Sequence, residues 1–317
     1  MAGHYSARLA QRSDQMMVTD GGLETTLIFQ HGIDLPEFAA FTLLENEAGR
    51  AALRRYYEPY AAAAQRTRVP CLLDTATWRA SPDWGAKLGY RVDRLSALNR
   101  DSVALLREIR AGWETPEVPV LINGAIGPRF DGYVYEAATA MDAAAAATFH
   151  GPQVAAFAAS GTDLITAWTM TYAGEAAGIA RAARDAGLPC IVSFTVETDG
   201  RLPDGSSLAD AISATDAASA GAPLHYMVNC AHVSHIEPAL RGGGAWLARL
   251  GGVRANPSAL SHAELNEATT LDPGDPAALG RDLAALRRRH PGMCVMGGCC
   301  GSDHSHAEQI GLACRAA

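Results

Sequence analysis

Short apolar runs rich in β-branched residues alternate with longer, alanine-rich amphipathic segments along this chain, and that alternation constrains its fold more than any other feature. Strand patterns fall near residues 15–19, 70–74, 119–123, 163–167, 190–196, 225–229, 252–256 and 293–296. Helical patterns lie between them. Residues 49–66 place Leu53, Tyr57, Tyr60 and Ala64 on one face. Residues 176–186 run into a stop at Gly187, and residues 276–289 finish in a basic cluster suited to a helix C-terminus. Asp303 or Ser305 begins a last helix through Ala316, and the alanine run at 143–147 reads as helix. Eight strands with intervening helices in 317 residues predict one (β/α)8 TIM barrel, a single domain over residues 1–317 with no Gly/Ser or proline-rich linker. Such barrels keep their sites at the C-terminal ends of the strands, where the long excursions 21–48, 75–90 and 125–140 are expected.

Thiols collect at that face. Met296-Gly297-Gly298-Cys299-Cys300-Gly301 follows the eighth strand, and its glycines are expected to supply a turn by allowing positive φ. Adjacent cysteines do not easily pair with each other, but both sulfurs can face one metal ion. Cys230 ends the sixth strand, separated from the eighth by only one other, so a third thiolate is within reach. Three protein ligands with a fourth position open is the catalytic arrangement of zinc, and a substrate thiol fits the open position. Coordination strips the proton from such a thiol, and zinc is redox-inert. The chemistry to expect is therefore transfer of a small group onto that sulfur. The competing reading makes Cys230 a core cysteine and the pair incidental. His232, His235, His304 and His306 lie near the thiols and are expected to cap helices or face solvent, while Cys71, Cys190, Cys294 and Cys314 read as packing.

Composition removes other classes. With 26 basic and 34 acidic residues the net charge is −8, so nucleic acid is not expected as a partner. No apolar run is long enough for a membrane span, the N-terminus lacks a signal peptide's apolar core, and seven cysteines fit reduced thiols, so a cytoplasmic protein is expected. Lys87 is the sole lysine, which leaves Schiff-base chemistry one candidate, and no phosphate-binding glycine loop is present.

Asp20-Gly21-Gly22 follows the first strand, where Asp20 can bind an amine while the glycine amides hold a carboxylate, or simply form a turn. Thr75-Ala76-Thr77-Trp78 follows the second strand and Asn123 to Pro128 the third. Trp78, Trp84, Phe130, Tyr133 and Tyr135 can form an aromatic cage for a sulfonium or quaternary ammonium, or can serve packing alone.

Four segments together resemble the homocysteine S-methyltransferase family of zinc-dependent barrels: Thr19-Asp20-Gly21-Gly22-Leu23, Ile126-Gly127-Pro128, Val228-Asn229-Cys230 and Gly297-Gly298-Cys299-Cys300-Gly301. The resemblance spans nearly the whole chain. It implies Cys230, Cys299 and Cys300 as zinc ligands, Asp20 with Gly21 in the pocket for the amino acid end of homocysteine, and Asn229 in support; by their place after the strands Gly22, Glu24, Thr77, Trp78 and Trp168 are further candidates for binding substrate. It also implies methyl transfer to a zinc-bound thiolate to give methionine, from a small donor, with S-methylmethionine or S-adenosylmethionine ahead of betaine. The chain departs from the family pattern at two places. The glutamate-threonine after the fourth strand is Trp168-Thr169 here, and the usual Thr-Glu-Leu is Thr25-Thr26-Leu27, with Glu24 nearby to compensate. Homocysteine, a different thiol, and a non-catalytic zinc or thiol-binding role remain open at this point.

Overall fold

A computed structural model describes residues 16–317; of the expected strand positions, Gln15 lies outside them. Parallel strands close into a barrel in the order of the sequence. They are β1 (Met17–Thr19), β2 (Cys71–Asp74), β3 (Val120–Ile126), β4 (Leu164–Met170), β5 (Cys190–Phe194), β6 (Tyr226–Asn229), β7 (Leu250–Ala255) and β8 (Val295–Gly298). Each is followed by a helix: α1 (Glu47–Thr67), α2 (Val92–Trp113), α3 (Ala143–Ser160), α4 (Ala173–Asp185), α5 (Leu208–Ser219), α6 (Val233–Ala239), α7 (Pro276–Arg289) and α8 (His304–Arg315).

Local chemistry sets the helix ends. Asn46 caps α1 by accepting from the Gly49 amide, and the four residues expected on its inner face are all buried. Gly187, at φ 70°, stops the chain just past α4 as expected. Asp303 caps α8 by accepting from the Ser305 and His306 amides.

Two corrections concern strand length. β3 runs on to Ile126 and β4 to Met170, three residues past their expected ends, so Trp168 and Thr169 are strand residues rather than loop residues. Both strands are buried at every position, and an apolar run carries no signal for where pairing stops when both faces are covered.

The barrel interior is layered by the two-residue period of the strands. Met17, Leu72, Leu121, Leu164, Ile191, Met227 and Val295 form an apolar plug, separate from the larger core between strands and helices. At the next inward position six of the strands turn polar: Asp74, Asn123, Thr166, Ser193, Asn229 and Arg254 are all buried. They satisfy one another. Asn123 donates to Asp74 at 2.6 Å, Thr166 to Asn123 at 3.0 Å, and Ser193 to Asn229 at 2.7 Å. That polar layer is the floor of the site.

Candidate active site

Above this layer opens a cavity of about 340 Å³ whose wall includes Asp20, Glu24, Trp78, Tyr133, Trp168, Arg254 and the three expected thiols. Cys230 follows β6 directly, at φ 58°, a left-handed conformation uncommon outside glycine that costs roughly 1 kcal/mol or more. Its sulfur lies 3.0 Å from that of Cys299 and 3.5 Å from that of Cys300, and all three lie within 4.8 Å of one another. All seven cysteines are free thiols. The glycine frame works differently from the expectation. Only Gly301 has positive φ, at 86°, whereas a Cβ on Gly297 would fall 1.9 Å from the Thr19 hydroxyl, so that position needs space rather than a left-handed turn.

The sulfurs are not equivalent. Hydrogen bonds from Cys230 and Cys300 hold the Cys299 thiol well below its ordinary pKa, with Arg254 and Asn229 adding to the effect; the contact with Cys299 pushes Cys230 up, and both neighbours push Cys300 up. Tyr133 brings its hydroxyl to 3.3 Å from the Cys230 sulfur and 3.8 Å from that of Cys300. Burial, then the cysteine charges, raise its pKa well above normal, which keeps the phenol protonated beside the sulfurs. Beneath it His262 stacks at 4.1 Å between ring centres, donates from Nε2 to the Cys230 carbonyl at 2.7 Å, and pairs through Nδ1 with Glu197 at 2.9 Å.

The donor set fits a metal ion. Three soft sulfurs converge on one point, and an ion bound at roughly 2.3 Å to tetrahedral thiolates needs them spaced only slightly wider than this. Among the described residues no histidine or carboxylate joins the group. His232 caps α6 by accepting from the Ser234 amide, and His306 closes the cap of α8 and reaches the Pro273 carbonyl.

Asp20 meets a partner that the sequence reading missed. Arg254, on β7, donates to Asp20 Oδ1 at 3.0 Å, to Asp74, and to the Gly21 carbonyl, and all three side chains are buried. Burial pushes the Asp20 carboxyl up, Arg254 pulls it back and Asp74 adds to the rise. Asp20 Oδ2 is enclosed without a hydrogen-bond partner. The Gly22 amide, expected to hold a carboxylate, donates instead to the Ser302 carbonyl at 3.1 Å. Glu24 lines the cavity, its carboxyl pushed up to about 7 by burial. Asn229 uses its amide to fix β4, accepting from the Thr169 amide at 3.0 Å and donating to the Thr169 hydroxyl at 2.9 Å, with the Cys299 sulfur 3.9 Å away. Trp168 packs on the apolar plug with the Arg254 guanidinium 5.1 Å from its ring centre.

Other expected positions fall outside the cavity. Thr77 is fully buried, its hydroxyl spent on the Ala125 carbonyl at 2.8 Å and on Thr75 at 2.6 Å. The proposed cage shrinks to Trp78 and Tyr133. Trp84 has Arg79 3.6 Å and Lys87 3.9 Å from its ring centre, so the protein's own cations occupy it. Phe130 and Tyr135 line a neighbouring smaller cavity of about 100 Å³. Arg254 and Asp74 were legible in principle, since a charged residue at an inward position of an otherwise apolar barrel strand must have a buried partner. His262 and Glu197 carry no such signal.

The profile of the homocysteine S-methyltransferase family matches residues 17–314. Among solved structures, the metallated form of the homocysteine methyltransferase MmuM from Escherichia coli is similar at 21% identity and a TM-score of 0.75, covering 98% of this chain and 100% of that one. The oxidized form of that protein aligns at 22% identity and a TM-score of 0.73, covering 97% and 98%. No curated protein sequence matches the chain. At these identities the structural likeness speaks for the fold, which the closed barrel already shows. The family match rests on nearly the full length, and by it the chain belongs to the homocysteine S-methyltransferase family.

Proposed function

We propose that this protein transfers a methyl group from a small sulfonium or ammonium donor to the thiol of homocysteine, giving methionine, with zinc held by Cys230, Cys299 and Cys300. The observation that carries the reading is the convergence of three thiols within 4.8 Å on the wall of a cavity that also contains a buried carboxylate oxygen without a partner. Zinc bound there would keep the acceptor's sulfur as a thiolate at neutral pH and leave it nucleophilic.

The chain's own residues supply the rest. Asp20 Oδ2 accepts from the acceptor's ammonium group while Arg254 fixes the other oxygen, so the carboxylate is oriented before the substrate arrives. Trp78 and Tyr133 line the space facing the thiols and suit an onium group by cation–π attraction. The S–CH3 bond forms as the donor's bond to that methyl breaks, the donor leaves with one positive charge fewer, and the thiol proton goes to solvent. Trp168 and the apolar plug beneath it close the floor to water. S-methylmethionine or S-adenosylmethionine fits this reading ahead of betaine, because Trp78 and Tyr133 alone do not build an enclosing cage.

Free thiols at all seven cysteine positions suit a reducing compartment, and we place the protein in the cytoplasm. No helix among the described residues is long and apolar enough to cross a membrane. Metal analysis tests the assignment. Cys230→Ala, Cys299→Ala and Cys300→Ala should each lose zinc and transfer together, and three folded variants that keep full zinc would refute it.

A further inference from the structure

Arg79, in the loop after β2, brings a guanidinium to the wall of the same cavity. Its Cζ lies 3.6 Å from the ring centre of Trp84 and 5.0 Å from that of Trp78, so two indoles hold the group in place. Among the described residues it makes no hydrogen bond or ion pair, and its Nε is enclosed without a partner. Asp131 and Glu24 contribute favourable field, but burial outweighs them and holds its pKa below the ordinary arginine value. Arg79 is half-buried with its Nε enclosed and no acid among the described residues at hydrogen-bond distance, and the fork of donors it has to offer matches a carboxylate.

Position says whose carboxylate it is. In the closed ring β2 stands four strands from β6 in either direction, so the loop that carries Arg79 leaves the barrel on the side opposite the strand that Cys230 follows. The buried amine acceptor, Asp20 Oδ2, belongs instead to the cluster around Arg254 and Gly21. Glu24 is near enough to both regions that its carboxyl responds to Cys299 and to Arg79. Trp78 joins them, its ring contacting Gly132, next to Tyr133, while also serving as a face for Arg79. A donor whose positive centre rests against Trp78 and Tyr133, with its methyl toward the sulfurs, therefore extends its far end to Arg79.

We propose that Arg79 binds a carboxylate of the methyl donor, which makes the donor a zwitterion with a carboxylate beyond its onium centre. The proposal rests on the methyl-transfer reading for the identity of the ligand but not for the binding itself.

Calorimetric titration of S-methylmethionine and of its methyl ester into the zinc-loaded protein, wild type, Arg79→Gln and Arg79→Lys, tests it. The wild type should bind the acid better than the ester. Arg79→Gln should weaken the acid roughly 10- to 100-fold, the loss of one charge-assisted pair, and leave the ester and homocysteine within about twofold. Arg79→Lys, which keeps charge without the fork, should fall between. The proposal is overturned if the wild type binds acid no better than ester, if Arg79→Gln weakens both equally, or if the loss falls on homocysteine. Should the acid bind through Arg79 while no methyl reaches homocysteine, the transfer reading fails and the carboxylate assignment stands.

Discussion

His262 Nε2 donates to the main-chain carbonyl of Cys230 at 2.7 Å, and the left-handed backbone of Cys230 is thereby tied to α-helical residues 32 positions further along the chain. The same imidazole supports Tyr133, whose hydroxyl touches the Cys230 sulfur. His262 therefore braces the proposed metal ligand Cys230 without joining the thiol group, holding both the backbone and, through Tyr133, the side chain of that cysteine. His262→Ala should retain the fold and bind zinc roughly 10- to 100-fold more weakly, the usual loss for a supporting partner of a ligand. Competition with a chromophoric chelator measures this; unchanged affinity would remove His262 from the site.

Arg254 neutralises two buried carboxylates at once. Arg254→Met should cost about 3–5 kcal/mol in urea unfolding, because Asp20 and Asp74 are left as uncompensated buried acids. Asp20→Asn with Asp74→Asn in the Arg254→Met background should recover part of that loss. A single variant as stable as wild type would show that the cluster does not hold the floor.

Trp168 is 3% exposed and packs on the barrel plug. Trp168→Glu would bury a carboxylate and open a cavity in one step, at a cost of about 3–5 kcal/mol. It should lower homocysteine turnover rather than raise it if, as proposed, Asp20 Oδ2 serves the amine. Trp168→Phe should cost less. Faster homocysteine turnover by Trp168→Glu, measured on soluble folded protein, would assign amine recognition to the β4 position instead.

His225 precedes β6 with its ring against Gly251, where an added Cβ would lie 2.4 Å away. Burial lowers its pKa from 6.5 to about 4, with Arg249 adding to the effect and the Tyr226 carbonyl opposing it. The folded state thus resists a proton that the unfolded chain accepts. Stability from this group is complete above pH 6.5 and is lost as pH falls toward 4, by up to about 3 kcal/mol. Unfolding curves of wild type and His225→Gln should converge over that window; a parallel pH dependence would rule this group out as the cause.

The barrel was legible because parallel strands covered on both faces read as dense apolar runs, and eight of them with helices between have few alternatives. The thiol trio was legible because each cysteine sits at a strand end, a position that closure brings to one mouth. What stayed hidden depends on registration across the barrel. Asp74, Asn229 and Arg254 share one inward layer only because β2, β6 and β7 are staggered as they are, and Arg254 looks like an isolated charge until that layer is assembled. Arg79 was hidden for a related reason. Trp84 was read as part of a surface for a ligand's cation, but Arg79 supplies a cation of the protein's own there and reaches Trp78 as well.

The most direct test is product mass spectrometry. Zinc-loaded protein is incubated with 13C-labelled homocysteine and S-methylmethionine. The account predicts 13C-labelled methionine from the wild type and none from Cys299→Ala, whose zinc is lost in parallel. Labelled methionine formed at an undiminished rate by zinc-free Cys299→Ala, or no labelled methionine from the loaded wild type with any sulfonium or ammonium donor, would contradict it.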